Sequence, residues 1–140
     1  MPADLSILKP VLVQAGLTFF LLFWMGWERL QAVRAGTVIR NAPGVRPTWP
    51  GRAGDISNAF HNQIETPNLF YAAVAFALLA GAADATMVWM AWAYIAIRLV
   101  HAGIHVTYNH IPHRFAVFLL ANVVLLAMWV KLALHVLSAG

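Results

Sequence analysis

The sequence predicts an all-α integral membrane protein, a single domain over residues 1–140 that crosses the bilayer as a four-helix bundle. Three observations carry that expectation. Hydrophobic residues make up 61% of the 140 positions and charged residues only 10%. A typical soluble domain carries about 25% charged residues, so this chain has too few to cover a water-facing surface. The mean hydropathy is +0.71. The apolar residues also gather in four long runs, and backbone in hydrocarbon must pair its own polar groups, as helices do.

Pro10–Trp27 holds no charge and comes close to the roughly 20 apolar residues of a spanning helix. The first helix is expected over 7–35. It is read as retained, because the run ends at Glu28-Arg29 without a small-residue cleavage site. The connection 36–54 contains Pro43, Pro47, Pro50 and four glycines, which favours an irregular loop. A second helix is expected over 56–81, kinked by the internal Pro67. Gly81-Ala82-Ala83-Asp84 reads as a tight turn into a third, antiparallel helix over 85–110. Ile111-Pro112-His113 breaks that helix, and a fourth is expected over 114–137.

Charge orients the bundle. Arg29, Arg34, Arg40, Arg46 and Arg52 flank the first loop and Arg114 follows the last turn, whereas the other side has Lys9 and Lys131 only. The positive-inside rule therefore puts both termini outside and the helix 1–2 loop in the cytoplasm. Trp24 and Trp27 then lie at the inner interface, and Trp89, Trp92 and Trp129 nearer the outer one. The net charge is +4. Nucleic-acid binding would want those cations clustered on a polar face with stacking aromatics; here they sit mainly in loops, so lipid and not nucleic acid is the expected partner. The absence of cysteine removes disulfides, thiolate metal sites and a cysteine nucleophile together. Any thiol chemistry must use a thiol brought by a cosubstrate.

Two polar stripes interrupt the apolar pattern. On the second helix, Asn58, His61, Asn62 and Glu65 share one face by spacing; on the third, Arg98, His101, His105 and Tyr108 do. Glu65 lies about 15 Å past Asp55, and Arg98 about 18 Å before His110, at 1.5 Å per residue. Antiparallel neighbours would bring the two charges to similar depth. A lone charge at mid-bilayer costs about 2.5–3.5 kcal/mol on insertion scales, so a Glu65–Arg98 pair, or a shared polar ligand, is expected. His101 and His105 also have a spacing compatible with metal ligation, but Arg98 beside them would repel a cation, and no metal is assigned.

The stretch Asn58-Ala-Phe-His61-Asn62-Gln-Ile-Glu65-Thr-Pro67 resembles the signature of the MAPEG family, the membrane-associated proteins in eicosanoid and glutathione metabolism. So does Arg98-Leu-Val-His101-Ala-Gly-Ile-His105-Val-Thr-Tyr108-Asn109, followed by Pro112-His113-Arg114. The resemblance implies a bacterial-type member: a homotrimer in the inner membrane, termini periplasmic, with glutathione as cosubstrate bound between subunits near the cytoplasmic face. Asn62, Glu65 and Arg98 would hold the tripeptide's polar groups, with His101 beside them and Arg114 facing the sulfur as the catalytic cation. His61 stands where enzymatic relatives often carry arginine, and His105 where tyrosine is usual; Tyr108, one turn on, is its partial substitute. The serine that follows the last arginine in some prostaglandin synthases is Phe115 here.

The implied activity is that of a glutathione transferase or peroxidase acting on hydrophobic electrophiles or lipid hydroperoxides. The alternative is a non-enzymatic membrane protein that binds lipid or a protein partner, with the Glu–Arg–His cluster structural.

Overall fold

The computed structural model describes residues 4–138. Among them are a single 3-10 turn at Leu5–Ile7 and five α-helices: α1 Leu8–Arg34, α2 Arg52–His61, α3 Pro67–Leu79, α4 Ala85–Val106 and α5 Ile111–Ser138. The protein is all-helical apart from its connections and one isolated bridge between Ile39 and Thr48. Helices α1, α4 and α5 are long and apolar enough to cross a membrane, at about 40, 33 and 42 Å by helical rise. At about 20 Å, α3 is short of the roughly 30 Å hydrocarbon layer.

The second expected helix is therefore corrected: it is two helices separated by residues 62–66. Pro67 causes the division. It has no N–H for the carbonyl of Gln63 and its ring would clash there, but as the first residue of α3 it starts a new helix at little cost. Asn62 and Gln63 end α2 in tight turns, with Gln63 N–H bonded to Phe60 O at 2.8 Å. The last break moves the other way. The third helix ends at Val106 and α5 begins at Ile111, because Pro112 suits a first helical turn and does not prevent one.

Helix α4 is central and packs on α1, α2 and α5, while α3 packs on α5. Small residues at the contacts, among them Ala73, Ala77, Ala91 and Ala121, let the helices approach closely, as membrane bundles do. Phe70 and Tyr94 stack with centroids 4.6 Å apart. Large side chains such as Phe19, Phe23, Leu120 and Leu126 point outward, where lipid would cover them. One end of the molecule gathers the start of α1 and the α3–α4 turn, joined by Asp4 N–H to Ala83 O at 3.0 Å. The other gathers α2 and the α4–α5 turn, joined by Asn109 Nδ2 to Asp55 Oδ1 at 2.9 Å.

Asp84 starts α4. It accepts from Met87 N–H at 2.9 Å and from Lys131 Nζ at 2.8 Å. The lysine hydrogen bond, then the Met87 amide, hold its carboxyl below the ordinary carboxylate value. A depressed folded value stabilises above the unfolded pKa of about 3.9 and is lost as pH falls through the folded one. Asp84→Ala is expected to cost about 1 kcal/mol of helix capping at neutral pH. Thermal unfolding should show the difference from wild type shrinking below pH ~4.

Candidate functional site

The division at Pro67 sets the polar interior. With residues 62–66 out of helix, Gln63 turns inward and is 1% exposed, while Glu65 is exposed. Arg98, fully buried, donates through Nη2 to Asn62 O at 2.7 Å and to Gln63 Oε1 at 3.1 Å. Gln14 of α1 donates to the same Gln63 oxygen at 2.9 Å. Three elements thus meet in one knot, and Arg98 satisfies a carbonyl that the broken helix leaves free. The expected Glu65–Arg98 ion pair is absent: the ion pairs among the described residues are Arg52–Glu28 and Lys131–Asp84. A helical face counted through residue 65 assumes an unbroken helix, and that assumption fails here.

One turn from Arg98, His101 lines a cavity of about 200 Å³ with Asn62, Ile111, Arg114, Phe115 and Phe118. No carboxylate among the described residues lines it. His105 is buried next to it: its ring lies edge-on to His101 at 5.8 Å, and its Nε2 is 3.4 Å from Asn62 Nδ2. Arg114 sits in the first turn of α5. Its Nη1 donates to Asn109 Oδ1 at 2.6 Å, and Asn109 in turn donates to Asp55. The guanidinium therefore leans on a neutral amide and keeps its charge uncompensated at first contact. Arg98 Nε and Nη1, His101 Nδ1 and His105 Nδ1 are buried without a hydrogen-bond partner among the described residues.

The fold has three membrane-competent helices, a segment that Pro67 divides into α2 and the apolar α3, and a buried polar cluster around Arg98 and His101. Residues 7–134, nearly the whole chain, match the MAPEG family. The chain is a member of the MAPEG family. No curated protein matches it. Family and apolar helices together make this MAPEG protein an integral membrane protein.

Of the residues singled out from sequence, this MAPEG chain brings Asn62, His101, His105 and Arg114 together, with Arg98 one turn deeper on α4. It does not bring His61, Glu65 or Tyr108 to that cavity. His61 Nδ1 donates to Ser57 O at 2.6 Å and the ring lines a second cavity across α2. Tyr108 is 60% exposed, its hydroxyl 3.4 Å from His113 Nδ1. No group of three or more potential metal ligands clusters among the described residues.

Gln14 and Gln63 were not foreseen from sequence, and Asn109 stood out only as lying near the edge of the stripe that begins at Arg98. Each is a neutral amide, so none carries the charge signal that drew attention to Arg98. Gln14 could have been found as the one strongly polar side chain amid Pro10–Trp27. The Asp55–Asn109 contact spans distant sequence and leaves no local trace.

Proposed function

We propose that this protein is a glutathione-dependent transferase or peroxidase, acting in the membrane on hydrophobic electrophiles or lipid hydroperoxides. The observation that carries this reading is Arg114 in the first turn of α5, lining a carboxylate-free cavity with Asn62 and His101. Glutathione is an anionic thiol peptide, and these groups fit it. Arg98 has two buried nitrogens without partners suited to a carboxylate, and Glu65 and Asn62 would take its amine and amide groups. Its thiolate is the nucleophile. Arg114 and the positive end of the α5 dipole would lower the thiol pKa from about 8.5. The sulfur then attacks the electrophilic carbon and the leaving group departs with its electron pair. In the peroxidase case it attacks a peroxide oxygen, the alcohol leaves, and a second glutathione reduces the sulfenic acid to disulfide and water.

The cavity in one protomer is smaller than the roughly 300–1,000 Å³ of ordinary ligand sites. This supports a homotrimer in which a neighbouring subunit completes the wall, with Glu65, His61 and Tyr108 reaching the ligand from its edge. In that arrangement α2 and α3 together form one crossing of a four-span, single-domain bundle. The arginine-rich first loop is cytoplasmic, the termini are periplasmic, and the membrane is a bacterial inner membrane.

The second reading, a non-enzymatic membrane protein, draws support from the Gln14–Gln63–Arg98 knot, which occupies Arg98 in holding helices together. Detergent-purified protein separates the two. Aryl-halide conjugation or lipid-hydroperoxide reduction with glutathione, together with calorimetric glutathione binding, is expected. Failure of both activities and of binding would leave the second reading.

A further inference from the structure

At the end of the molecule opposite the Arg114 cavity lies another cavity, of about 450 Å³, lined by Asp4, Ala85, Val88, Trp89 and Trp92. That volume is within the roughly 300–1,000 Å³ of ordinary ligand sites. The start of α1 and the α3–α4 turn build it. Asp4 N–H donates to Ala83 O at 3.0 Å, and Asp4 O accepts from Ile7 N–H at 3.2 Å. The carboxylate Oδ1 accepts from Ser6 N–H at 2.9 Å, so the acid is fixed where α1 meets the beginning of α4. Trp89 and Trp92, three residues apart, share one side of α4. Helical side chains lean toward the N-terminus, so Trp92 leans back and lines the same space as the acid.

Neither the rings nor the acid are spent inside the protein. Trp24 and Trp129 donate their indole N–H groups to Glu28 Oε1 and Leu69 O, and Trp24 and Trp49 each face an arginine. Trp89 and Trp92 do neither among the described residues. Trp89 is 75% exposed and Trp92 38%, so both present open ring surface. Asp84, the other acid at this end, is paired with Lys131, whereas Asp4 forms no ion pair among the described residues. The Ser6 amide, then the Ser6 side chain and Lys9, hold the Asp4 carboxyl below the ordinary carboxylate value, so it is ionised at neutral pH. An ionised acid and two indoles thus border one space, and no cation among the described residues lines it. Helix α4, at about 33 Å, nearly matches the roughly 30 Å hydrocarbon layer, so its first two turns lie against the lipid headgroups.

We propose that this cavity holds the ammonium group of a zwitterionic phospholipid headgroup in the adjoining leaflet. An ammonium over an indole face is attracted by the ring's electron cloud, and Asp4 supplies the opposite charge. The free indole N–H groups suit the phosphate and ester oxygens of the same lipid. An anionic headgroup without an ammonium would lose the first two interactions and meet the Asp4 charge as repulsion. The positive end of the α4 dipole would oppose a cation, but the Asp84 carboxylate caps it. The site shares no residue with the Arg114 cavity, so its occupancy does not depend on the glutathione reading.

Wild-type protein in nanodiscs of phosphatidylglycerol, with phosphatidylethanolamine titrated in, is compared with Asp4→Asn, Trp89→Leu and Asp84→Asn. All three variants should fold. Asparagine still accepts from the Ser6 amide at position 4 and still caps α4 at position 84, and Trp89 is largely exposed. Phosphatidylethanolamine affinity is read by native mass spectrometry. It is expected to fall about tenfold in Asp4→Asn, the scale of one lost charged contact. Trp89→Leu is expected to lose about two- to fivefold, the scale of an exposed cation–π contact. Asp84→Asn, which makes the same charge change at the same end but outside the cavity, should leave affinity unchanged. An equal loss in Asp84→Asn would reduce the effect to general surface charge and overturn the site. So would wild type showing no preference for phosphatidylethanolamine over phosphatidylglycerol, or Trp89→Leu binding as tightly as wild type. Equal occupancy by soluble phosphoethanolamine in detergent would overturn the lipid as the source.

Discussion

Arg114→Ala is expected to lower glutathione-dependent turnover about 10²-fold at neutral pH, the scale of removing one preorganised group that stabilises developing or resident negative charge. The loss has a signature beyond its size. If Arg114 holds the sulfur as a thiolate, the wild-type rate climbs with pH through a depressed thiol pKa and levels off near neutrality. In the variant that climb moves toward about 8.5, the value of an unassisted thiol, so raising the pH recovers much of the activity. Arg114→Lys keeps a positive charge but loses the Nη1 hydrogen bond to Asn109, and should fall between the two. The pH dependence of kcat/KM and the ultraviolet absorbance of bound thiolate both report on this. An unchanged rate with an unchanged pH profile in Arg114→Ala would remove Arg114 from the chemistry.

The largest stability effect is expected at Gln63. Gln63→Leu strips the buried Arg98 guanidinium of one acceptor and leaves the Gln14 amide without its partner. Hydrogen bonds to charged groups are worth about 1.5–3 kcal/mol, above the ~0.6 kcal/mol mean for neutral interhelical bonds in membranes, so the expected loss is about 2–3 kcal/mol. Removing the charge at the same time relieves part of it. In a double-mutant cycle, Gln63→Leu with Arg98→Met should couple by at least about 1 kcal/mol. Glu65→Gln with Arg98→Met should be additive to within about 0.5 kcal/mol. The cycle is read from reversible unfolding in mixed detergent micelles. Stronger coupling to Glu65 than to Gln63 would restore the carboxylate as the partner of Arg98.

That contrast shows where sequence reasoning held and where it lost its footing. The ends of α1 fall within one residue of expectation, because an uncharged run fills most of its length and Gly36, at a positive φ of 67°, ends it. The α4 start is equally legible, since Gly81 adopts a positive φ of 68° and Asp84 caps the helix. The stripe on α4 holds for Arg98, His101 and His105, which are buried on one side of the helix, and fails at Tyr108, which lies past the helix end at Val106 and is exposed. The stripe on the second helix needed continuity through Pro67. Spacing arithmetic advances 100° per residue only while the helix persists, and five residues outside it were enough to exchange Gln63 for Glu65. The cavity that His61 lines under the first loop was out of reach for another reason: Arg29, Trp49 and Ser57 meet there only after the loop has folded back, and nothing local announces it.

Asn109 sits at φ 46°, the only non-glycine residue in the left-handed region among those described. Glycine would adopt that turn more easily but would release both Asp55 and Arg114. Aspartate could also adopt it, yet it would set a carboxylate against Arg114 in place of the amide oxygen and repel Asp55. Asparagine alone is donor to one neighbour and acceptor from the other, an insulating spacer between opposite charges. An acid at this single turn position would neutralise the cation of the cavity, whereas the amide holds Arg114 and leaves its charge intact.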